Sequence, residues 1–458
     1  MPSIDVSAAA SLHKRALRAG SWNLLSQVAS QLMRLGGNLI MARLLLPEMF
    51  GVMLITTTVS VLLHLLCDVG LRQNIIQSHR GDDPDFLNTA WTVQVIRGFL
   101  LFALTLLLAL GAWFAQLAEL WPAHTTYAAP VLPMVLAVTG LSAVIWGFQS
   151  TKIDVAVRTF QQARVVLLDL VSQVAGLLVM LVVGWLTQSI WALVCAGLVS
   201  AMAWTVLSHT ALEGPNNHLR WDRTALTELI VFGRWILLSS MVGVLAMYGD
   251  RILFGASMSA PQLGVYSIAV LILGAVQTAL LRVVGAVALP AFSEAARAGD
   301  KERLKALYYR FRLLFDLGVL FIAGGFLTAS PLLISWMYDD RYLEAGPMLA
   351  ILSLSLLTLR YTLAHQVWLA LGLTKYQAMD NIIRLVSLWG LLPLLLAIGG
   401  VDLAIWGVAL HTLPTLVLIV YVNGKLDIFS LKRELVVLPM LAVGALCGAL
   451  LTAVSNGL

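Results

Sequence analysis

The sequence predicts an all-α polytopic membrane protein in which one six-helix unit is written twice and about one further helix follows. Three observations carry this expectation. The chain of 458 residues is 60% hydrophobic and only 12% charged, with a mean hydropathy of +0.88, whereas soluble domains carry about 25% charged residues. Apolar runs near the roughly 20 residues needed to cross a bilayer recur along its whole length. A motif around Trp22, Gly20-Ser-Trp-Asn-Leu-Leu-Ser26, returns 213 residues later as Gly233-Arg-Trp-Ile-Leu-Leu-Ser239. Pro47-Glu-Met-Phe-Gly-Val52 is likewise answered by Pro261-Gln-Leu-Gly-Val265, with Gly51 and Gly264 again 213 apart.

In chain order, Lys14, Arg15 and Arg18 lead into a first run at about 20–43. That run is longer than a secretory signal core and lacks a small-residue exit, so it is expected to stay in the mature protein. Five more runs follow at about 49–70, 87–112, 129–148, 162–184 and 189–209. After the polar stretch Glu213–Arg223 come seven, at about 228–250, 262–290, 313–337, 345–371, 378–398, 402–422 and 434–455, thirteen in all. The division expected is an N-terminal lobe, 1–212, a C-terminal lobe, 213–425, and an additional helix in 426–458.

Lys and Arg concentrate in cytoplasmic loops. Alternate loops carry 19 of them, from Lys14 to Arg433, against Arg43, Arg251 and Arg341 in the opposite set, so the N-terminus is expected in the cytoplasm. Trp22, Trp113, Trp121, Trp185, Trp191 and Tyr338 near segment ends read as aromatic belts. Cys67, Cys195 and Cys447 lie far apart in apolar segments and form no disulfide or metal pattern. The basic loop Ala295–Arg312 reads as positive-inside bias rather than a nucleic-acid patch. No nucleotide, zinc-protease or dinucleotide motif is present, so no resident cofactor is expected and uphill work must draw on an ion gradient or the cargo's own gradient.

Ionisable groups inside spans are costly and are functional candidates by default. On helix one, Asn23, Gln27, Gln31, Arg34 and Asn38 recur at helical spacing on one face. Arg34 lies roughly 21 Å from the cytoplasmic end, too deep to snorkel, and should face water or an anion. The alternative is a hydrogen-bonding seam with Arg34 paired to a buried carboxylate. His64 and Asp68 are one turn apart and could share a proton or be a structural pair. Asp169, with Gln162 and Gln173 on the same face, could neutralise Arg34 or bind a cation. Gln94 and Arg97 line one face of helix three; Arg282, Arg360 and His365 lie in helices eight and ten. Asp380 with Arg384 and Arg312 with Asp316 read as local pairs. Several deep arginines against few deep acids suit an anionic cargo, because the guanidinium fork matches phosphate oxygens.

Two stretches carry a family resemblance. Ala42-Arg-Leu-Leu-Leu-Pro-Glu-Met-Phe-Gly-Val52 with Asp68-Val-Gly-Leu-Arg-Gln-Asn-Ile-Ile-Gln77, and Gly249-Asp-Arg-Ile-Leu-Phe-Gly255 with Pro261-Gln-Leu-Gly-Val-Tyr-Ser267, resemble the two half-starts of Wzx or PST-type polysaccharide flippases. These belong to the multidrug/oligosaccharidyl-lipid/polysaccharide exporter superfamily. The resemblance implies two six-helix lobes forming a V-shaped cavity, alternately open to each side of a bacterial inner membrane. It implies a cargo of undecaprenyl-pyrophosphate-linked oligosaccharide, moved to the periplasmic leaflet for O-antigen, capsule or exopolysaccharide assembly beside a polymerase and assembly machinery. The cargo-binding set expected is Arg34, Arg97, Arg360, Arg282, Gln27, Gln31 and Asn38. Asp169, His64, Asp68, Asp250 and His365 are candidates for a coupling proton or sodium ion. The alternatives are a multidrug antiporter, a peptidoglycan-precursor flippase, or a membrane glycosyltransferase or polymerase acting on the same lipid. An enzyme would need a sizeable outer catalytic loop, and the longest, Trp113–Ala128, holds only Glu119 and His124, so no enzymatic activity is expected.

Overall fold

The computed structural model describes residues 27–457 apart from 69 and 160, with side chains omitted for 230–241, 286 and 456. Trp22 and Asn23 lie outside the described residues. The elements are α1 (27–44), α2 (Pro47–Leu66), α3 (Leu71–Gln77), α4 (Pro84–Leu117), α5 (Leu132–Gly147), α6 (Lys152–Arg158), α7 (Gln162–Thr187), α8 (Trp191–Thr210) and α9 (Arg223–Gly255). They continue as α10 (Ala260–Arg297), α11 (Lys301–Met337), α12 (Ala345–Leu352), α13 (Leu356–Leu359), α14 (Thr362–Ala370), α15 (Thr374–Leu410), α16 (Thr415–Lys425), α17 (Leu431–Val436) and α18 (Pro439–Gly457). Strands are absent among the described residues.

Nine helical stretches in the described residues are long and apolar enough to cross a membrane, ten if α5 and α6, bent by 60°, form one span. The difference from thirteen runs has definite places. The first run begins outside the described residues, the run at 228–250 covers 230–241, whose side chains lie outside them, and the runs at 378–398 and 402–422 are two helices counted together as Thr374–Lys425. Within that stretch the helix breaks at Gly399 and Gly400. Gly400 has φ 66° and ψ −156°, a conformation open in practice only to glycine. The long helices keep apolar residues on their exposed faces, such as Leu107 and Leu110 on α4, Val417 on α16 and Leu450 on α18. A helix apolar all round belongs in hydrocarbon.

The chain forms two compact units. Unit 1 holds residues up to Leu45, then 55–123 and 127–241; unit 2 holds 46–54, 124–126 and 242–458. In unit 1 the polar stretch after α8 is fastened by hydrogen bonds, which places it and the first half of α9 with that unit. Backbone N–H groups of His218, Arg220 and Asp222 donate to Asn88, Thr92 and Thr89 of α4 at 3.0, 3.0 and 3.1 Å. Asn217 accepts from Ser150 at 2.7 Å and donates to Thr151 at 2.7 Å. Arg158 caps the end of α3, donating from one guanidinium nitrogen to the carbonyls of Ile75, Ile76 and Ser78 at 2.9, 3.1 and 2.6 Å. A cation there also complements the negative end of the helix dipole.

In unit 2 the two repeated glycines meet. A Cβ on Gly51 would lie 2.1 Å from the Ala260 carbonyl oxygen, and one on Gly264 would lie 1.8 Å from the Pro47 carbonyl oxygen. The first turns of α2 and α10 therefore cross backbone to backbone, each helix offering its glycine to the other's start. Proline in each first turn is pre-set for helix and has no N–H to leave unpaired, and Ser259 with Gln262 closes a capping box on α10. The last helix is joined to α11 in the same way. A Cβ on Gly324 would meet the Leu441 carbonyl at 2.0 Å, and one on Gly444 the Phe321 carbonyl at 2.2 Å. Thr328 donates across this contact to the Ala445 carbonyl at 2.9 Å. Small residues at helix crossings allow the dispersion contacts that drive packing in lipid.

Gly264→Ala should therefore destabilise unit 2 by about 2 kcal/mol, as overpacking of a tight contact does. Gly274→Ala, on the same helix with nothing within 4 Å of its Cβ position, should be neutral or slightly stabilising. Thermal unfolding of the two variants in detergent checks this; equal melting temperatures would contradict it.

Candidate functional site

In unit 1, α1 packs on α7 through Ser30, Gly37 and Met41. A Cβ on Gly37 would lie 2.8 Å from Leu177 and 2.9 Å from Met180, and one on Gly184 would lie 2.5 Å from Met41. Gln173 donates to Ser30 Oγ at 3.0 Å and to Asp169 at 2.9 Å, tying the polar part of α7 to this seam. At about 100° per residue, Gln27, Gln31, Arg34 and Asn38 centre roughly 60° around α1 from the seam. The stripe thus runs beside the contact with α7 and is not consumed by it.

The side chain of Arg34 is exposed. No ion pair joins it to Asp169 or to any other carboxylate among the described residues, so the sequence alternative of a paired Arg34 is not what these residues form. Asn38 donates to the Arg34 carbonyl at 2.9 Å, and Gln31 has a buried carbonyl oxygen without a hydrogen-bond partner. This face presents an exposed cation beside the side-chain amides of Gln27, Gln31 and Asn38.

The second group in unit 1 brings Arg97 to His64 and Asp68, which sequence reasoning pairs with each other but not with Arg97. Arg97 donates to the His64 carbonyl at 2.7 Å and lies 3.6 Å from Asp68, and His64 Nδ1 faces the Ser60 carbonyl at 3.0 Å. Asp68 also accepts from the Gly70 N–H at 3.0 Å. Arg97 therefore caps the end of α2, while its Nε has no hydrogen-bond partner. Gln94, one turn earlier, donates to the carbonyls of Gly147 and Gln149 at 3.1 and 3.0 Å, holding the end of α5.

In unit 2 the buried ionised groups of α11, Arg360 and Glu434 pair with one another. Arg312 reaches Asp316 at 3.2 Å, Tyr308 Oη at 2.6 Å and Glu434 at 2.7 Å. Arg360 bonds to the same Glu434 and lies 3.8 Å from Asp316. Tyr361 donates to Glu434 at 2.9 Å, and its ring lies under both guanidinium groups, at 4.6 Å for Arg312 and 5.1 Å for Arg360. Arg360 is 4% exposed and two carboxylates balance the two arginines, so its charge is compensated within the unit. Glu434 was missed by sequence reasoning. The signal available was a carboxylate at the head of an apolar run, directly after Lys432 and Arg433.

His365 and Arg384 both face Asp380, at 3.6 and 2.7 Å. Asp250 is buried and accepts from Tyr266 Oη at 2.5 Å, while the guanidinium of Arg251 stacks on Tyr248 at 4.6 Å. Arg282 is an exposed residue of α10, four positions after Thr278. Among the described residues no group of three or more His, Cys, Asp or Glu is placed to hold a metal ion.

The family model described as polysaccharide biosynthesis protein matches residues 40–347. Among solved structures, the chain is similar to an inward-facing multidrug resistance MATE family transporter of the MOP superfamily, with a TM-score of 0.68 at 13% identity over 88% of this chain and 98% of the other. It is similar also to the lipid II flippase MurJ in an inward closed conformation, with a TM-score of 0.68 at 10% identity over 90% of this chain and 89% of the other. A MATE protein in the straight conformation follows at 0.54 and 13% identity, over 90% and 96%. At such identities the likeness establishes the fold. No curated protein matches the chain.

Removing one partner from a buried ion-pair group leaves an uncompensated charge, which costs about 3–5 kcal/mol. Glu434→Ala should therefore lower the melting temperature strongly, whereas Arg34→Ala, at an exposed and unpaired position, should leave it nearly unchanged. A purified Glu434→Ala protein as stable as the unsubstituted chain would refute the cluster's structural role.

Proposed function

The chain belongs to the polysaccharide biosynthesis protein family, and we propose that it is a flippase carrying a lipid-linked oligosaccharide across the bacterial inner membrane. The cargo proposed is an undecaprenyl-pyrophosphate-linked repeat unit, moved from the cytoplasmic to the periplasmic leaflet and passed to a polymerase and assembly machinery. The fold is shared equally with a multidrug transporter and a lipid II flippase, so fold alone does not select the cargo.

One observation favours the phosphate-bearing cargo: Arg34 is an exposed cation on a membrane helix without a carboxylate partner among the described residues. An arginine in that position is costly unless it faces water or an anion. A pyrophosphate accepts its parallel N–H groups two at a time, and Gln27, Gln31 and Asn38 supply further hydrogen-bonding groups along the same stripe. The prenyl tail can stay in lipid while the charged headgroup follows this hydrated face. Arg97 contributes positive potential near the end of α2, and Arg282 is a second-unit candidate; compensation by Glu434 and Asp316 ranks Arg360 last in the set. A cation-selective multidrug site would need the opposite balance of charge.

Transport proceeds by alternating access, without covalent change to the cargo. Asp169 is the leading candidate for a coupling proton or sodium ion, since its carboxylate is held by a neutral amide, Gln173. His64 with Asp68 is the next, and Asp250 and His365 already have local partners. The orientation proposed has the N-terminus in the cytoplasm, the side that the excess of Lys and Arg in alternate loops favours.

Arg34→Ala should reduce cargo transport by about 10- to 100-fold, the loss expected for a charge-assisted hydrogen bond worth about 1.5–3 kcal/mol. Arg34→Lys should retain part of the activity. The assay is restoration of surface polysaccharide in a deletion strain, with membrane abundance measured in parallel. Full restoration by Arg34→Ala would sink the assignment, as would a deletion strain that accumulates no lipid-linked repeat units on the cytoplasmic side.

A further inference from the structure

A second cationic site lies wholly within unit 2. A cavity of about 600 Å³ opens between α11 and α17, and its lining includes Arg310, Arg312, Lys432 and Arg433 against the carboxylates Asp316 and Glu434. Both carboxylates are engaged at its floor by Arg312 and Arg360. The surplus charge sits at the mouth. Arg310, Lys432 and Arg433 are exposed and have no carboxylate partner among the described residues, unlike the nearby Arg303 and Lys305, which pair with Glu294 and Asp427. Arg433 is held over the Tyr309 ring at 3.7 Å, which limits its motion before any ligand arrives.

The rest of the lining is apolar. Leu313, Val436 and Val437 border the cavity, and Leu313 and Val436 are 49% and 65% exposed on helices of a membrane protein. A site with three uncompensated cations at its mouth and an aliphatic wall beside them fits an amphipathic anion. We propose that this cavity binds the phosphate headgroup of an anionic membrane phospholipid, with Arg310, Lys432 and Arg433 on the phosphate and an acyl chain along Leu313 and Val436. Basic pockets between membrane helices bind anionic headgroups by this chemistry, each cation adding to the attraction. The phosphate could instead come from a soluble anion, and the apolar wall is what favours the lipid. The site is separate from Arg34 and does not depend on the cargo assigned there.

The test uses the full chain in phosphatidylcholine nanodiscs containing graded amounts of phosphatidylglycerol, with retained phosphatidylglycerol counted by native mass spectrometry. The unsubstituted chain should retain phosphatidylglycerol, and R310Q/K432Q/R433Q should weaken retention by about tenfold or more. R297Q/K301Q/K375Q, which removes equal charge outside the cavity, should retain it as the unsubstituted chain does, and millimolar inorganic pyrophosphate should not displace it. Equal retention by the cavity variant, equal loss in the control, or displacement by pyrophosphate would each overturn the proposal. If the triple variant fails to fold, Arg310→Glu alone, at an exposed position, must weaken retention for the proposal to stand.

Discussion

The constraint on which this structure depends is that an ionised group within a membrane helix must find a partner, water or an anion. It sorts the deep arginines into two kinds. Arg312 and Arg360 share Glu434 and Asp316, with Tyr308 and Tyr361 completing the shell, and Arg384 has Asp380. Arg97 has Asp68 and the carbonyl end of α2. Arg34 has none of these among the described residues, and this is why the same residue type reads as structural in unit 2 and as a cargo contact in unit 1.

A second principle, close backbone approach at glycine, builds the scaffold around those charges. Gly51 and Gly264, related by the sequence repeat, are the two sides of one crossing, and Gly324 and Gly444 lock the last helix to α11. That last helix is then more than an appendage, since the segment leading into it carries Glu434, the carboxylate that two buried arginines require. The charge pattern is not repeated between the two similar stretches: α1 has an amide-rich stripe with Arg34, and the end of α9 has Asp250 bound to Tyr266.

Much of the fold was legible because it follows from local composition. Apolar runs marked the helices, and the 213-residue offset picked out Gly51 and Gly264 before their contact was known. Hydropathy also drew two runs on either side of residue 400, and the structure separates two helices there, at Gly399 and Gly400. The departures arise where three-dimensional partners decide. Arg360 looked like a cavity cation because its partner, Glu434, is 74 residues away in sequence. Arg97, His64 and Asp68 were each visible, but their grouping depends on how α4 passes the end of α2. The stripe on α1 was legible from spacing alone, whereas its position beside the α7 seam needed Gly37, Ser30 and Gln173.

The central claim is that Arg34 faces an aqueous path occupied by a phosphate-bearing cargo. The most direct measurement is thiol accessibility at that position, with Arg34→Cys placed in a chain whose Cys67, Cys195 and Cys447 have been replaced. A membrane-impermeant, charged thiol reagent should modify the new cysteine, and purified undecaprenyl-pyrophosphate-linked oligosaccharide should slow the modification. A cysteine that no aqueous reagent reaches, or one modified at the same rate with and without the cargo, would contradict the account.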